Sequence, residues 1–467
     1  MLYTTLKALF NLLTKVFYRS ITVENADRVP QKGPVILVSN HPNTMMDPVL
    51  LTLGSGRNPH FLGKSTLFNS KISRWFFGQG KVIPVYRKMD AEKEMHRNTQ
   101  SFERCYEVLE QGEAIVIMPE GISQMDGTIH PLKTGTARIA LNTEARNDFS
   151  LGVTIVPAGI NYADPTRFNQ DVYCRFGKPI EMKAFQSLYQ EDEVEAVYQL
   201  TEQIQEALQK LTTTVKAPET ATLLDHLNMV YKQELITDMG LENPSKHDEF
   251  AVTRGMADAI DWFYENEPKR TAELQHELRS YLAKLEGLQL RDDLLTTREG
   301  KRTFLRRLWQ GIEVLFGFPV YVYGLINNLI PYRIPRLVVK RLKPSKEFRS
   351  TYVIVSGLVA YVIMYILQTV LVFHWVGNVW IALIYLVSLL PSGKFALYYK
   401  RLLANYRQHL RLFTLLSKRK TLFMDIIHDR VELINALGEA RRLYVSRQEE
   451  SMEEKPGSKT GGDDLET

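Results

Sequence analysis

The stretch from Gly33 to Pro48, "GPVILVSNHPNTMMDP", holds a short apolar run and then a polar loop. The run has no charged residue and ends at Ser-Asn, which is typical of a buried β-strand. His41 follows this strand directly, and Asp47 stands beside Pro48 at the start of another apolar run. An Asp as N-cap with Pro as the first helical residue predicts that a helix begins there.

Three more runs rich in Val and Ile follow, each bounded by Gly, Pro or Asn: "GKVIPVY" (80–86), "EAIVIMPEG" (113–121) and "GVTIVPAGINY" (152–162). Helical patterns lie between them, for example at 92–110 and 135–141. Strands that alternate with helices form a parallel sheet, and uncharged strands indicate that both faces are covered. The pattern therefore predicts an α/β fold over residues 20–185, with a largely parallel sheet flanked by helices.

The segments after this domain differ in composition. Residues 186–307 are apolar at helical spacing and otherwise charged, which predicts a helical region for packing or regulation. Residues 401–445 predict a second, basic helical region. The tail at 446–467 has no aromatic residue, Val or Ile, which predicts disorder.

A transmembrane hairpin is predicted within residues 308–400. Residues 352–373 carry no charge over 22 residues, which is enough to cross a bilayer. The shorter run at 376–390 follows after a tiny connection. Lys and Arg flank both ends of this hairpin, and none lies in the connection. The positive-inside rule then predicts a membrane protein with both ends, and the α/β domain, on the cytoplasmic side.

Two other apolar segments lead to weaker membrane predictions. The run at 315–332 is broken by Pro319 and Gly324, which favours a re-entrant or interfacial segment over a span. Residues 1–19 place Leu and Phe on one helical face with Lys at its edge, which predicts an amphipathic, membrane-associated helix. The alternatives are a first helix docked on the core and a hairpin buried in a soluble protein.

The overall composition narrows the class of protein. A net charge of +5 over 467 residues is small and no nucleic-acid motif is present, so no nucleic acid is expected as a partner. Cys105 and Cys174 are too few for a disulfide framework and lack metal-ligand spacing. The folded part is therefore expected on a reducing, intracellular side, and no metal or bound cofactor is implied.

His41 and Asp47 form the candidate catalytic pair. Ligands of open parallel sheets collect at the carboxyl ends of strands, where His41 stands. A general base needs a group that orients its imidazole, and a nearby carboxylate can supply it. No GxSxG nucleophile elbow occurs, so attack by a substrate hydroxyl deprotonated by His41 fits better than a covalent intermediate. Taken alone, the loop is better explained by a loop histidine and a helix cap.

Further candidate ligands stand at the other strand ends. Lys64 lies in "GKST" (63–66), where a helix start would offer backbone amides to an anion. Arg87 follows the next strand and suits bidentate phosphate contact. In "MPEGISQMDGTIHPLKTG" (118–135), Glu120 could accept bonds from a substrate hydroxyl or from backbone amides, and Lys133 precedes a helix start. Each cation alone is more often a solvated surface charge, but together they indicate a phosphate site.

Four blocks resemble the glycerolipid acyltransferase family over residues 20–182: "NHPNTMMDP", "GKVIPVYR", "MPEGIS" and "VTIVPAGI". The resemblance implies an O-acyltransferase of phospholipid synthesis. Members move an acyl group from acyl-CoA or acyl carrier protein to a hydroxyl of glycerol-3-phosphate or 1-acylglycerol-3-phosphate. The resemblance implies that His41 is the general base and that Asp47 orients it.

The same resemblance implies substrate-binding positions. Arg87 matches the phosphate-binding arginine of the second block. The remaining matches are Glu120 and Gly121 in the third block, Pro157 in the fourth, and, more weakly as phosphate ligands, Lys64 and Lys133.

Two features depart from the family pattern. Five residues, rather than four, separate His41 from Asp47, and Ser123 stands where an arginine is common. Both are similar to a long branch with the motif HxxNxxxDP, which includes fungal glycerol-3-phosphate acyltransferases. The acceptor stays open, with a lysophospholipid or dihydroxyacetone phosphate as alternatives. A non-catalytic, membrane-tethered protein that binds lipid or phosphate is the alternative from another class.

Overall fold

The computed structural model of the chain describes residues 2–87, 96–165, 168–295, 302–344 and 346–453. The chain divides into two compact units. The first consists of Met1–Thr214 with Leu325–Pro391, and the second of Val215–Gly324 with Ser392–Thr467. The α/β domain predicted from the sequence lies in the first unit.

A mostly parallel sheet forms the centre of the first unit. Its described strands are β1 (Ser20–Glu24), β2 (Val35–Ser39), β3 (His60–Lys64), β4 (Val82–Val85), β5 (Ala114–Ile117), β6 (Thr154–Tyr162), β7 (Asp171–Phe176) and β8 (Ile180–Glu181). The order is β1-β7-β6-β2-β5-β3-β4, and β8 pairs with β6. Neighbouring strands are parallel except where β6 meets β7 and β8. The predicted fold class is confirmed.

Helices cover both faces of this sheet. They are α1 (Leu2–Phe17), α2 (Met46–Ser55), α3 (Lys71–Gln79), α4 (Asn98–Glu110), α5 (Gly135–Ala145), α6 (Gln186–Glu191) and α7 (Glu193–Leu211). One face of the sheet packs against α4, α5 and α7, and the other packs against α2 and the end of α1. Every residue of β2 is buried between these layers, which explains why its sequence carries no charge.

Helix α7 packs on the sheet, although the sequence assigns residues 186–307 to a separate helical region. Its Leu200 and Ile204 are buried in the same core as the strands. Gly159 of β6 permits this approach, since a Cβ there would lie 1.9 Å from the carbonyl oxygen of Leu211. The first unit accordingly extends beyond the expected boundary at 185.

The second unit is helical in its described residues. Its first helices are α8 (Pro218–Val230), α9 (Lys232–Asp238), α10 (Lys246–Asn266) and α11 (Pro268–Gly287). A buried ion pair lies in this unit, where Arg430 Nε is 2.9 Å from Asp292 Oδ1 and Arg430 Nη2 is 2.8 Å from Glu234 Oε1. The two carboxylates compensate the charge of the buried Arg430 guanidinium, so the three groups have a structural role in this unit.

Four long helices complete the chain: α12 (Arg302–Leu342), α13 (Lys346–Val376), α14 (Val379–Lys418) and α15 (Lys420–Glu453). Three of them contain segments long and apolar enough to cross a membrane: Gly311–Leu342, Thr351–Val376 and Val379–Lys418. The last two form the predicted hairpin, and Gly377 turns the connection with a φ of +69°.

The structure differs from the sequence predictions in three further helices. Helix α12 runs without a break through Pro319 and Gly324, where a re-entrant or interfacial segment was the expectation. A continuous helix satisfies its own backbone hydrogen bonds, which an apolar environment requires. Helix α4 begins at Asn98, and residues 88–95 lie outside the described part. Helix α15 extends to Glu453, so the start of the expected disordered tail is helical, and residues 454–467 also lie outside the described part.

Two asparagines in α12 contact the other two apolar helices within the first unit. Asn328 Oδ1 accepts a hydrogen bond from the Tyr365 hydroxyl at 2.7 Å, and Asn328 Nδ2 donates to the Leu389 carbonyl at 3.3 Å. Gln368 Nε2 donates to the Asn327 carbonyl at 2.9 Å. Such bonds hold helices together in apolar surroundings, which accounts for the amides in an apolar run.

Candidate active site

The strand order brings the predicted site residues to one edge of the sheet. Strands β2, β5, β3 and β4 are parallel neighbours, so the loops after them meet at their carboxyl ends. These loops border a cavity of about 940 Å³. Five predicted site residues line it: His41, Lys64, Arg87, Gly121 and Lys133. The other two, Asp47 and Glu120, are buried and bond to His41.

His41 and Asp47 form a hydrogen-bonded pair across the five residues between them. His41 Nδ1 lies 2.9 Å from Asp47 Oδ2. Complete burial raises the pKa of the Asp47 carboxyl above its ordinary value, and hydrogen bonds from His41, Tyr162 and the Asn43 amide oppose this rise. Because Nδ1 is engaged, Nε2 is the nitrogen of His41 that remains to exchange a proton with a ligand.

Helix α2 begins earlier than the sequence predicts, and this sets the position of Asp47. The helix starts at Met46, so Asp47 lies in the first turn and does not cap the helix. The amides of Met46 and Asp47 both donate to the Asn43 carbonyl at 3.1 Å. The Asn43 amide in turn donates to Asp47 Oδ2 at 2.7 Å. This turn takes up the extra residue of the motif and directs the carboxylate back to His41.

Tyr162 is a site residue that the sequence motifs do not identify. Its hydroxyl donates to Asp47 Oδ1, the oxygen that His41 does not use. Burial raises the pKa of Tyr162 well above its ordinary value, so the hydroxyl stays a donor. Strand β6 ends at Tyr162 and runs parallel to β2, which brings the residue beside the His41 loop. The strand-end rule applied to the fourth block would have found it.

Asn40 fixes the end of β2 just before His41. Its Nδ2 donates to the Ile160 carbonyl at 3.0 Å, and its Oδ1 accepts from the Ile160 amide at 2.8 Å. The Asn40 side chain therefore makes the two hydrogen bonds that the backbone of a paired strand would make, and it extends the pairing of β2 with β6 by one residue. This contact joins residues 120 positions apart, which the sequence alone does not reveal.

The third block holds the backbone of His41. Glu120 Oε1 accepts from the His41 amide and Oε2 from the His130 amide, both at 3.2 Å. Ser123 Oγ donates to the His41 carbonyl at 2.8 Å. The sequence predicts a substrate hydroxyl or backbone amides as partners of Glu120, and in the structure its partners are backbone amides. Burial raises the pKa of Glu120, and these amides oppose the rise.

Two cations lie close to Gly121. A φ of +70° favours glycine there, and a Cβ would lie 2.7 Å from Lys133 Nζ. Arg87 Nη1 donates to the Gly121 carbonyl at 2.6 Å. Because both cations line the cavity, they make this part of its wall suited to an anionic group.

Lys64 has surroundings different from those predicted. It is the last residue of β3, and Ser65–Phe68 after it forms a single 3₁₀ turn. Helix α3 begins only at Lys71, capped by Ser70. "GKST" therefore does not open an α-helix whose amides could hold an anion. The Lys64 ammonium lies 4.6 Å from the centre of the Phe348 ring, a cation–π contact at the cavity wall.

The rest of the cavity wall is mainly apolar. It includes Phe61, Leu62, Phe77, Val85, Phe102 and Ile139. A cavity with cations on part of its wall and apolar side chains on the rest suits a ligand that carries both an anionic group and a hydrocarbon chain.

Known proteins similar to this chain are acyltransferases. Residues 20–161 match the Acyltransferase family. The chain is 30% identical over 232 residues to glycerol-3-phosphate O-acyltransferase 1 of Saccharomyces cerevisiae. This match covers 48% of this chain and 29% of that protein. It is also 26% identical over 127 residues to a probable 1-acyl-sn-glycerol-3-phosphate acyltransferase of Mycoplasma pneumoniae. This second match covers 26% of this chain and 45% of that protein.

A solved structure also matches. The crystal structure of the 1-acyl-sn-glycerophosphate acyltransferase of Thermotoga maritima has a TM-score of 0.33 and 19% identity, and covers 45% of this chain and 79% of that one. The chain spans less than half the length of each of the two curated relatives above. The family resemblance predicted from the four blocks is confirmed over residues 20–161, the part of the chain that matches the Acyltransferase family.

Proposed function

We propose that this protein is a membrane-attached glycerolipid O-acyltransferase. It transfers an acyl group from acyl-CoA or acyl carrier protein to a hydroxyl of glycerol-3-phosphate or 1-acylglycerol-3-phosphate. The observation that carries the proposal is the His41–Asp47 pair at 2.9 Å, beside a cavity whose wall combines cations, among them Arg87 and Lys133, with apolar side chains. The names of the two curated relatives support these acceptors.

The pair supports direct transfer without an acyl-enzyme. Asp47 holds Nδ1 of His41, and Nε2 takes the proton from the acceptor hydroxyl. The acceptor oxygen then forms a bond to the thioester carbonyl carbon, the carbon–sulfur bond breaks, and His41 returns the proton to the leaving thiolate. Precise positioning of the acceptor hydroxyl contributes much of the rate enhancement, because reactants that are already oriented lose little further entropy in the transition state.

The cations are proposed to hold the acceptor phosphate. Arg87 and Lys133 lie at Gly121, and Lys64 lines the same cavity after β3. Guanidinium and ammonium groups both bind phosphate oxygens, and arginine can do so with two parallel bonds. Glu120 and Gly121 are proposed to shape this site through the backbone of His41 and the approach of Lys133.

The domain organisation and orientation are also proposed. The catalytic domain begins at residue 20 and lies on the cytoplasmic side, because Lys and Arg flank both ends of the α13–α14 hairpin. The regions at 186–307 and 401–445 serve packing or regulation, and residues 1–19 lie on the membrane. This side gives the cavity access to the cytosolic acyl donor.

A thioester-release assay tests the proposal. Thiol release from palmitoyl-CoA or palmitoyl-ACP is followed with the full chain in lipid vesicles. Glycerol-3-phosphate, 1-acylglycerol-3-phosphate, a lysophospholipid and dihydroxyacetone phosphate are offered side by side. We expect release with one of the first two. No release with any acceptor, together with binding of the same ligands, would identify a non-catalytic binding protein instead.

Arg87→Ala is expected to raise the acceptor KM by about 10- to 100-fold, since hydrogen bonds to charged groups contribute about 1.5–3 kcal/mol. The donor KM should change little. Initial rates at varied acceptor and donor concentrations measure both. Arg87→Lys is the matched control and should recover part of the acceptor affinity, because the charge stays while the bond to Gly121 is lost. An unchanged acceptor KM would remove Arg87 from the phosphate site.

Tyr162→Phe is expected to lower kcat by about tenfold with little change in either KM, because one hydrogen bond to a buried carboxylate is lost. A carboxylate without this donor attracts the proton on His41 more strongly. The acid limb of the kcat/KM profile should therefore move to higher pH. Tyr198→Phe, on the exposed side of α7, is the control. An unmoved acid limb would mean that Tyr162 serves only packing.

A further inference from the structure

Helix α3 presents large aromatic side chains to solvent. Trp75 is 60% exposed and Phe76 is 40% exposed. Lys71, one turn before Trp75, and Arg74, the residue directly before Trp75, are exposed as well. At helical spacing the two aromatics share one arc of the helix, and the two cations share the adjoining arc. An exposed Trp-Phe pair beside cations is an arrangement that marks interaction surfaces.

The packing of α3 does not require the Trp75 side chain. Phe77 attaches the helix to the domain, since its ring lies 5.8 Å from that of Phe68. The helix start is stabilised by a capping box between Ser70 and Ser73. The capping box and the Phe77 contact therefore hold α3 in place, and the Trp75 side chain extends from the helix into solvent.

The chain segment that contains α3 carries charges of one sign. Residues 48–89 contain seven Lys and Arg and neither Asp nor Glu. The exposed Lys71 and Arg74 can attract anionic lipid headgroups, and Trp75 and Phe76 beside them add an apolar contribution that charge alone does not supply. Charge and aromatic exposure together favour a lipid surface over an acidic protein as the partner.

The cavity lies between α3 and a candidate membrane span. Phe76 and Phe77 line the cavity that His41 also lines. Phe348 and Thr351, in the first two turns of α13, line the same cavity. Helix α13 then continues through Thr351–Val376, which is long and apolar enough to cross a bilayer. The exposed face of α3 is thus continuous, around one cavity, with a helix that leads into a membrane.

We propose that α3 is a further membrane-contacting element that opens the cavity toward the bilayer. Trp75 and Phe76 lie at the boundary between headgroups and acyl chains, and Lys71 and Arg74 contact lipid phosphates. A fatty acyl chain then passes between bilayer and cavity along α3 without crossing water. The route for the acyl chain rests on the proposed function, whereas the position of α3 in the interface does not.

Site-directed spin labelling tests the position of α3. Trp75→Cys is labelled in the full chain and reconstituted in vesicles of phosphatidylcholine and phosphatidylglycerol. Cys105 and Cys174 stay unlabelled because they are buried and burial raises the pKa of both thiols to about 12. The control is Tyr198→Cys on α7, which is 61% exposed in the same unit. Collision rates with oxygen, which partitions into lipid, and with a water-soluble nickel chelate are compared.

We expect the label at position 75 to collide with oxygen and to be shielded from nickel, and the label at 198 to show the reverse. Equal nickel collision at both positions would overturn the proposal, since α3 would then lie in water. Shielding from both reagents at position 75 would also overturn it, because a protein surface would then cover α3.

A kinetic measurement tests the route. Trp75→Ser is expected to raise the KM for a vesicle-bound, long-chain acyl donor by about tenfold, the effect of losing about 1.4 kcal/mol of interfacial contact. The KM for a water-soluble, short-chain donor should stay unchanged. Tyr198→Ser is the control for both. Equal effects on the two donors would exclude the route, and absence of turnover in the unmodified chain would reject the proposed function while the labelling result stands.

Discussion

Replacement of His41 by alanine is expected to lower kcat for acyl transfer by about 100- to 10,000-fold, the range that a positioned general base contributes. Without Nε2, no described side chain is placed both to take the hydroxyl proton and to be held by a buried carboxylate. Binding of acceptor and donor should persist, because the cations and the apolar walls remain. Thiol release in single-turnover and steady-state assays measures the loss.

The His41→Ala experiment has a matched control in His428→Ala. His428 is exposed in the second unit and pairs with Glu432 on the same helix, so its removal should leave the rate unchanged. Equal melting temperatures of both variants and the unmodified chain would show that the loss is chemical. Turnover of His41→Ala at the ordinary rate would exclude His41 as the base.

Asp47→Asn is expected to lower kcat on the order of 10,000-fold, as the corresponding change does in serine proteases. The new amide can donate a hydrogen bond to Nδ1 of His41, which favours the tautomer with a proton on Nε2. That tautomer cannot accept the proton of the acceptor hydroxyl. The change is nearly isosteric and removes a buried charge, so the fold should persist, and circular dichroism with thermal melting would verify this.

A second Asp–His pair in the same unit supplies the control for Asp47→Asn. Asp126 Oδ2 lies 2.6 Å from His130 Nε2, and both side chains are partly exposed. Because neither lines the cavity, Asp126→Asn should change kcat by less than about threefold, as most surface substitutions do. A similar rate loss in both variants would contradict a special role for Asp47.

The strand-end positions could be predicted from the sequence because their determinants are local. An uncharged apolar run such as that of β2 marks a buried strand, and the polar residue after it marks the carboxyl end. Parallel pairing then brings His41, Arg87 and Glu120 to one edge without further information. The same local rules placed the two apolar runs of the α13–α14 hairpin.

The contacts around these residues could not be predicted in this way. Tyr162 and Asp47 are 115 positions apart, and only the pairing of β6 with β2 brings them together. The helix start at Met46 contradicts the strong local signal of Asp-Pro, because backbone bonds to Asn43 and the contact with His41 outweigh capping. The place of Lys64 also depends on Phe348, which is distant in the chain.

The sequence by itself determined the α/β class and the apolar runs of the α13–α14 hairpin, since composition and periodicity along a short segment encode each of them. The resemblance to a known family also came from the sequence alone, because the four blocks that carry it are short and local. The tertiary structure alone decided how the five-residue spacing still pairs His41 with Asp47, which groups orient them, and that α3 carries exposed aromatics beside the cavity. These features arise from long-range packing, in which each side chain's partner depends on strand order and not on its neighbours in the chain.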